Sequence, residues 1–485
     1  MPNGSARSDF RNILDRKGYP KRSHLLNPFT PSLFVRLLMS LLVLLVVVVP
    51  TEGRCQSEPE LEKSYVIPAL EIIGFDALLN VFDRLVLGDP YHTSVASIRT
   101  NLRRRWVTEN DPFAINQFGH PYQGAMYHGF ARSAGLNFWT SLGYTFAGSA
   151  MWEVAGETSA PSWNDQIASG IAGSYLGEAL YRIANLMIET GPTPTRRGRR
   201  FVAAATSPPL GLNRHLFGQR LDRIYPSKDA AYYRRIHLGA AATTESSGDD
   251  NINLRPTEGV FDISMEYGLP GKDGYSYSRP FDYFALQATA TTGKGLESIL
   301  LRGLLIGTGY KAGESHDGVW GLFGNYDYIA PQLFRVSSTA IALGTTFEWR
   351  PSDAVSIQTT ALGGAGYAAV GALTRRDTSD YHYGIAPQAV VASRVIFSER
   401  AALDVSAREY YVSRVAGTSG HDNIIRFDAA FMVRLHQQRA IGLRYLLSRR
   451  DAFFPETGSR RQVRGTLGLF LTMLGHDRFG SVPRG

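Results

Sequence analysis

From about residue 232 onward apolar and polar side chains alternate, and that period of two constrains the chain more than any other feature. Phe261, Ile263, Met265, Tyr267 and Leu269 alternate with Asp262, Ser264, Glu266 and Gly268. Ile425, Phe427, Ala429, Phe431, Val433 and Leu435 alternate with Arg426, Asp428, Ala430, Met432, Arg434 and His436. Val463, Gly465, Leu467, Leu469, Leu471 and Met473 face opposite Arg464, Thr466, Gly468 and Thr472. Successive side chains of a strand point to opposite faces, so each segment reads as a strand with one apolar and one polar face. A soluble sandwich gives the same alternation, and three features turn the apolar face toward lipid. The segments run about ten residues or more, the length a tilted strand needs to cross a bilayer, whereas soluble strands cluster near five or six. Their ends carry Trp320, Tyr326, Tyr328, Trp349, Tyr410 and Tyr411, as an interfacial girdle requires. The polar face holds many charges and small residues, which suits a wet lumen.

Twelve segments are read, at 233–244, 258–269, 281–291, 297–310, 317–329, 336–350, 353–369, 381–397, 400–414, 422–436, 439–450 and 460–474. Connections after the sixth, eighth and tenth are tight (Pro351-Ser352, Ser398-Glu399, Gln437-Gln438), while those after the seventh, ninth and eleventh are longer and polar. Short turns on one side and long loops on the other belong to outer-membrane barrels, which have an even strand number. The third, fourth, seventh and eighth segments alternate poorly, which leaves ten or fourteen strands open. The expected fold class is α+β: a small helical domain at 57–225, an antiparallel transmembrane β-barrel of about 12 strands at 232–474, and a C-terminal tail at 475–485.

The N-terminus supports export. Residues 1–36 are polar and basic, Leu37 to Val49 is apolar except for Ser40, and Pro50-Thr51-Glu52-Gly53 follows. This is the pattern of a secretory signal peptide over 1–53, with a long basic n-region. As a helix, thirteen residues reach about 20 Å, short of a hydrocarbon core near 30 Å, so a retained anchor is the secondary reading. Cys55 follows Arg54, which is not the small residue lipidation needs. A single cysteine excludes an internal disulfide framework and a multi-cysteine zinc site.

The formal net charge of +8 is partly local, in Arg103-Arg104-Arg105 and Thr195-Arg196-Arg197-Gly198-Arg199-Arg200. No nucleic-acid motif accompanies these runs, so they read as solvated surface or as contacts with anionic head groups. Nucleic acid is not an expected partner.

The stretch before the barrel is helical. Leu70, Ile73, Leu78, Val81, Phe82 and Leu85 mark an amphipathic helix. A turn-rich segment, Asn116 to Gly124, enters a second helical stretch through Glu153, and a third runs from Ser162 to about Ile188. Gly170, Gly173 and Gly177 in the third allow another helix to approach closely. Pro209 to Arg214 reads as a turn joining the two domains. Asn116 to Gly124, Ala131 to Asn137, Gly148 to Glu153, Pro161 to Asp165, Gly177-Glu178 and Tyr181-Arg182 together resemble a bacterial envelope family, domain of unknown function 3943, over about residues 65–220. The resemblance implies a domain preceding an outer-membrane barrel in Gram-negative bacteria and implies no activity or catalytic residue.

Within this region His120, His128, Arg132, Glu153, Glu157, Glu178 and Arg182 form the candidate polar centre, since charges among apolar and small neighbours are costly unless paired. The plainer reading is polar packing: Ser162 with Asp165 has N-cap spacing, and Glu178 with Arg182 has ion-pair spacing on a helix. Trp139, Trp152 and Trp163 read as core. No motif of a metalloprotease, serine hydrolase or phosphate loop is present, so no catalytic residue, metal or cofactor is assigned. Arg426, Asp428, Arg434, His436, Arg444 and Arg464 are expected to face the lumen. The leading expectation is an exported outer-membrane barrel with a periplasmic or lumen-plugging helical domain, for passage or binding of a small or amphipathic molecule. The alternatives are an envelope enzyme acting on lipid or lipopolysaccharide, with His120, His128, Glu153 and Glu157 converging on one point, and an assembly protein docking a periplasmic partner. Expected partners are membrane lipid or lipopolysaccharide, a small-molecule ligand and a periplasmic protein.

Overall fold

The computed structural model describes residues 63–482 apart from 87–90, 110, 191–196, 219–220, 222–223, 249–251, 332, 373–380, 415–419, 456–457 and 477. The expected signal peptide lies outside the described residues.

Twelve strands close into one antiparallel barrel. They are β1 (Tyr232–Ser247), β2 (Ile252–Tyr267), β3 (Phe284–Thr291), β4 (Gly295–Ala312), β5 (His316–Ile329), β6 (Phe334–Ser352), β7 (Val355–Ala372), β8 (His382–Phe397), β9 (Ala401–Arg414), β10 (His421–His436), β11 (Arg439–Phe454) and β12 (Gly458–Leu474). Each pairs with the next, and β1 pairs with β12 from Arg235↔Leu474 to Ser247↔Gln462, which leaves no free edge. The tight β8–β9 turn holds Ser398 and Glu399 at φ 47° and 53°. Left-handed backbone at both central residues is the turn geometry that matches strand twist. The loop asymmetry is not uniform: the connection at 268–283 is long although it lies on the rim of the tight turns. It folds back against the helical domain, as described below.

The two faces divide by chemistry. Leu238, Phe261, Ile263, Trp320, Leu343, Val391, Phe431, Leu443 and Leu469 are exposed on the outer face. Many inward-pointing residues are charged and pair across the lumen. Arg394 on β8 meets Glu266 on β2 at 2.9 Å, six strands away around a twelve-strand ring. Arg464 on β12 meets Glu297 on β4 at 2.9 Å, and Arg408 on β9 meets Asp327 on β5 at 2.9 Å. The C-terminal tail also enters the lumen: Gln358 Nε2 donates to the Gly480 carbonyl at 2.6 Å, and the Phe479 N–H donates to Glu399 at 2.6 Å.

The helices are α1 (Val66–Val86), α2 (Val95–Asn101), α3 (His120–Ser133), α4 (Phe138–Met151), α5 (Trp163–Ile167), α6 (Gly173–Glu189), α7 (Arg197–Thr206) and α8 (Pro208–Leu216). A π-helical stretch, Ala168–Ala172, joins α5 to α6, so the third expected helix is continuous. The second is broken: Gly135 takes φ 86°, and the Asn137 side chain caps α4 by accepting from Thr140 N. Pro209 to Arg214 is part of α8 rather than a turn, because Pro208 and Pro209 occupy first-turn positions where a missing N–H costs nothing. The glycines of α6 do allow close approach: a Cβ on Gly173 would lie 2.6 Å from the Gly124 Cα of α3, and one on Gly177 would lie 2.9 Å from the Ala125 carbonyl oxygen.

The helical domain neither fills the lumen nor sits beneath the barrel; it rests on the outer wall. Trp320, Leu322, Gly324, Tyr326 and Tyr328 share the outward parity of β5, and a Cβ on Gly324 would lie 2.5 Å from the Tyr175 ring of α6. Tyr326 donates to the Gln117 carbonyl at 2.6 Å, and outward Arg335 on β6 stacks over Phe113 at 5.2 Å. The contact runs from the β7–β8 rim, where Asn116 donates to Tyr381 at 2.9 Å, to the opposite rim, where Arg182 reaches Asp282 at 3.0 Å. The domain therefore covers the wall over the height of the strands. Helix α1 is inverted relative to a soluble helix. Leu70, Ile73, Leu78, Val81, Phe82 and Leu85 are 52–81% exposed, whereas Asp76, Asn80 and Asp83 are buried. Among the described residues, no helix is long and apolar enough to cross a membrane.

Candidate functional site

The polar residues of the helical domain gather into separate clusters. The first is centred on Glu178 of α6, which is fully buried. Its carboxylate accepts from Arg132 Nε at 2.6 Å, from Arg132 Nη2 at 3.2 Å and from Arg182 Nε at 2.8 Å, and lies 3.2 Å from His128 Nε2. His128 and Arg132 lie one turn apart on α3, and Glu178 and Arg182 one turn apart on α6, so two facing helical turns build the cluster. Arg182 extends it to the barrel by donating to Asp282 at 3.0 Å and to the Pro280 carbonyl at 2.6 Å. Asp282 is also held by the Arg279 side chain at 3.0 Å and by the Ser278 and Arg279 N–H groups at 3.0 and 2.8 Å. The rings of Tyr181 and Tyr225 lie 4.9 and 4.6 Å from the Arg132 guanidinium. Burial works to raise the Glu178 carboxyl, but Arg132, His128 and Arg182 together hold it well below the usual range. Every charge here has a counter-charge, which is the pattern of a structural clasp.

The second cluster lies where α3 and α5 meet the wall. His120 Nε2 stands 3.8 Å from Asp165 Oδ1, and Ser169 Oγ lies 3.5 Å from His120 Nδ1. Ser162 Oγ accepts from the Asp165 N–H at 3.3 Å, the N-cap of α5. Glu153 accepts from the Ser162 N–H at 2.8 Å. Asn164 donates to Tyr383 of the barrel at 2.8 Å, and Gln117 donates to the same hydroxyl at 3.0 Å. Burial pushes the Asp165 carboxyl above the usual carboxylate range. Glu157 stands at the edge of the second cluster, within electrostatic reach of Glu153 and Asp165, and accepts from Trp152 Nε1 at 2.8 Å and from Ser159 at 2.9 Å.

His120, His128, Glu153 and Glu157 thus do not converge on one point: His128 is in the first cluster, His120 and Glu153 in the second, and Glu157 at the edge of the second, bound to Trp152 and Ser159. The expected single centre is not formed, because His128 is drawn to Glu178 across the α3–α6 contact, while Glu153 lies beyond the end of α4. Among the described residues, no group of three or more His, Cys, Asp or Glu side chains is arranged to hold a metal.

In the barrel, Arg426, Asp428, Arg434, Arg444 and Arg464 point into the lumen. Arg444 bridges Asp262 at 3.3 Å and contacts Asp428, and Arg434 lies 3.8 Å from Glu399. His436 is exposed at the β10–β11 turn, where a register irregularity after Arg434 takes it out of the alternation. The girdle reading needs a similar correction. Trp320, Trp349 and Tyr411 are exposed, but Tyr326 and Tyr328 are buried under helices. Tyr410 points inward and donates to Asp327 at 2.6 Å.

The residues that sequence reasoning missed are Asp282, Arg279, Tyr381 and Tyr383, which join wall to helices. A connection as long as 268–283 on the rim of tight turns was the available signal.

The family model described as a domain of unknown function, DUF3943, matches residues 105–209. The expected resemblance stands over that span, which holds every residue of the two clusters except Tyr225 and those supplied by the barrel and the 268–283 connection. None of the curated proteins matches the sequence. Among solved structures the chain is similar to the NanC porin, at 5% identity and TM-score 0.22, covering 47% of this chain and 98% of that one. It is similar to the Pseudomonas putida toluene transporter TodX at 8% identity and TM-score 0.22, covering 52% and 90%. The attachment invasion locus protein Ail of Yersinia pestis gives 11% identity and TM-score 0.16, covering 50% and 99%. Likenesses this loose transfer neither residues nor function to this chain.

Proposed function

We propose that the chain is an outer-membrane protein whose barrel is closed by its own side chains. In this reading its helical domain, seated on the outer wall, binds an amphipathic molecule from the membrane. The observation that carries the reading is the orientation of α1, with its aliphatic side chains outward and Asp76, Asn80 and Asp83 inward. A polar-in, apolar-out helix on a domain as tall as the strands matches a surface that meets lipid, continuous with the aliphatic outer face of the barrel. Passage through the lumen is the less favoured half of the original expectation. Arg394 and Glu266 meet across the full ring, and the tail residues Phe479 and Val482 are buried inside it. An enzyme is not favoured either, since His128 is sealed in the Glu178 cluster and the proposed acid–base groups are dispersed.

Two measurements on the full chain test this. In planar bilayers it is expected to give no conductance steps, and regular steps would contradict a closed lumen. Solvent extraction of protein purified in mild detergent is expected to release bound lipid at a fixed ratio to protein. Lipid-free protein would overturn the binding role.

A further inference from the structure

A groove runs along the seam between α6, α7 and the outer faces of β1 and β2. Its apolar wall includes Ile183, Leu186 and Met187 from α6, Val202 from α7, and Met265 from β2. Two arginines complete it, Arg199 from α7 and Arg234 from β1, and among the described residues no acidic side chain lines it. Arg199 donates to the Met187 carbonyl at 3.3 Å, which fixes its guanidinium at the groove. Arg234 is exposed on the outward face of β1, two residues before Ile236 and four before exposed Leu238. Neither arginine has an acidic partner among the described residues.

The groove lies at the rim where β1 begins and β2 ends, the level at which a bilayer passes from acyl chains to head groups. Helix α7 has the matching composition: Arg197 and Arg200 are exposed, Phe201 is 75% exposed, and no acidic residue occurs in it. Cations beside bare aromatic and aliphatic side chains suit an interfacial helix facing anionic lipid. Farther along β1 and β2, Leu238 and Ile263 continue the apolar surface toward the middle of the barrel.

We propose that this seam is a binding site for one anionic glycerophospholipid of the adjoining leaflet. An acyl chain lies along Leu186, Met187, Val202 and Met265, and the phosphate is held between Arg199 and Arg234. The proposal rests on the reading that the helical domain binds an amphipathic molecule, and it names that molecule's class and place. Two arginines at an interface supply a preference of about tenfold or more for an anionic over a zwitterionic head group.

The test is native mass spectrometry of the full chain in detergent, titrated with phosphatidylglycerol or with phosphatidylcholine of the same chains. One phosphatidylglycerol is expected to be retained with about a tenfold preference. R199Q/R234Q is expected to lose that preference, and M265W, which fills the groove, to lose retention itself. Excess glycerol phosphate should not compete, since the chain supplies part of the affinity. Heat-modifiable gel mobility reports whether each variant keeps its barrel. Unchanged preference in folded R199Q/R234Q overturns the seam site while leaving amphipath binding elsewhere intact. No retained lipid of either kind in the natural chain overturns both readings. Displacement by glycerol phosphate would show a free-phosphate site and overturn the lipid assignment.

Discussion

The barrel and the helical domain are built on the same inversion, with charge inside and aliphatic surface outside, yet their internal charges carry different structural weight. In the barrel the backbone is satisfied by twelve strand ladders closed on themselves. The lumen pairs are added to a frame that stands without any one of them. In the helical domain no ladder joins α3, α6 and the 268–283 connection, and the Glu178 cluster performs that joining. Removing one partner of a buried pair costs more than the pair contributes, because a charge is left buried without compensation. Glu178→Gln leaves Arg132 in that position, with Arg182 held by Asp282 alone, and is expected to destabilise the helical domain by about 3–5 kcal/mol. In contrast, Asp327→Asn in the lumen should leave helical unfolding unchanged. Denaturant unfolding in detergent, followed by the helical circular dichroism signal, measures both, and equal losses would erase the distinction.

The second way to press the comparison is at the wall itself. Gly324 stands on an outward face shared with exposed Trp320, so a larger residue there would be harmless if lipid covered it. Its Cβ would instead meet the Tyr175 ring at 2.5 Å. Gly324→Val is expected to cost about 1–3 kcal/mol through overpacking and to loosen the domain from the wall. Faster protease cleavage within the helical region, with the barrel intact on a heat-modified gel, is the expected readout. Unchanged cleavage would mean that this contact does not hold the domain.

How much of this was legible beforehand follows from what each pattern encodes. Alternation at Ile425 to Leu435 reports two faces of one strand, and where the apolar face meets lipid, sequence and structure agree. The same alternation cannot say what covers an outward residue, so Tyr326 and Tyr328 read as girdle aromatics although helices bury them. Helix α1 shows the complementary failure: its period marks an apolar stripe, but whether that stripe faces core or lipid depends on its surroundings. Asp76 and Asp83 on the opposite face are buried. The local polar pairs were readable, since Glu178 with Arg182 and Ser162 with Asp165 are set by helical spacing alone. Their assembly was not, because Asp282 and Tyr383 lie about a hundred and two hundred residues away, at |i−j| of 100 from Arg182 and 219 from Asn164.

The smallest expected effect isolates local from assembled chemistry. Ser162 Oγ accepts from the Asp165 N–H at 3.3 Å, and the first turn of α5 also presents Asn164 to Tyr383 of the wall. Ser162→Ala removes the cap and is expected to cost about 1 kcal/mol of helical stability. Ser162→Asn, which can accept the same N–H, should recover most of it. Ser162→Asp caps equally well in a solvated helix, but here it adds a charge beside buried Asp165 and Glu153. If the cap acts alone, Asp and Asn should be equivalent. If the enclosed carboxylates govern this corner of the domain, Ser162→Asp should fall below Ser162→Ala, because burying a third carboxylate without a counter-charge of its own outweighs one recovered hydrogen bond.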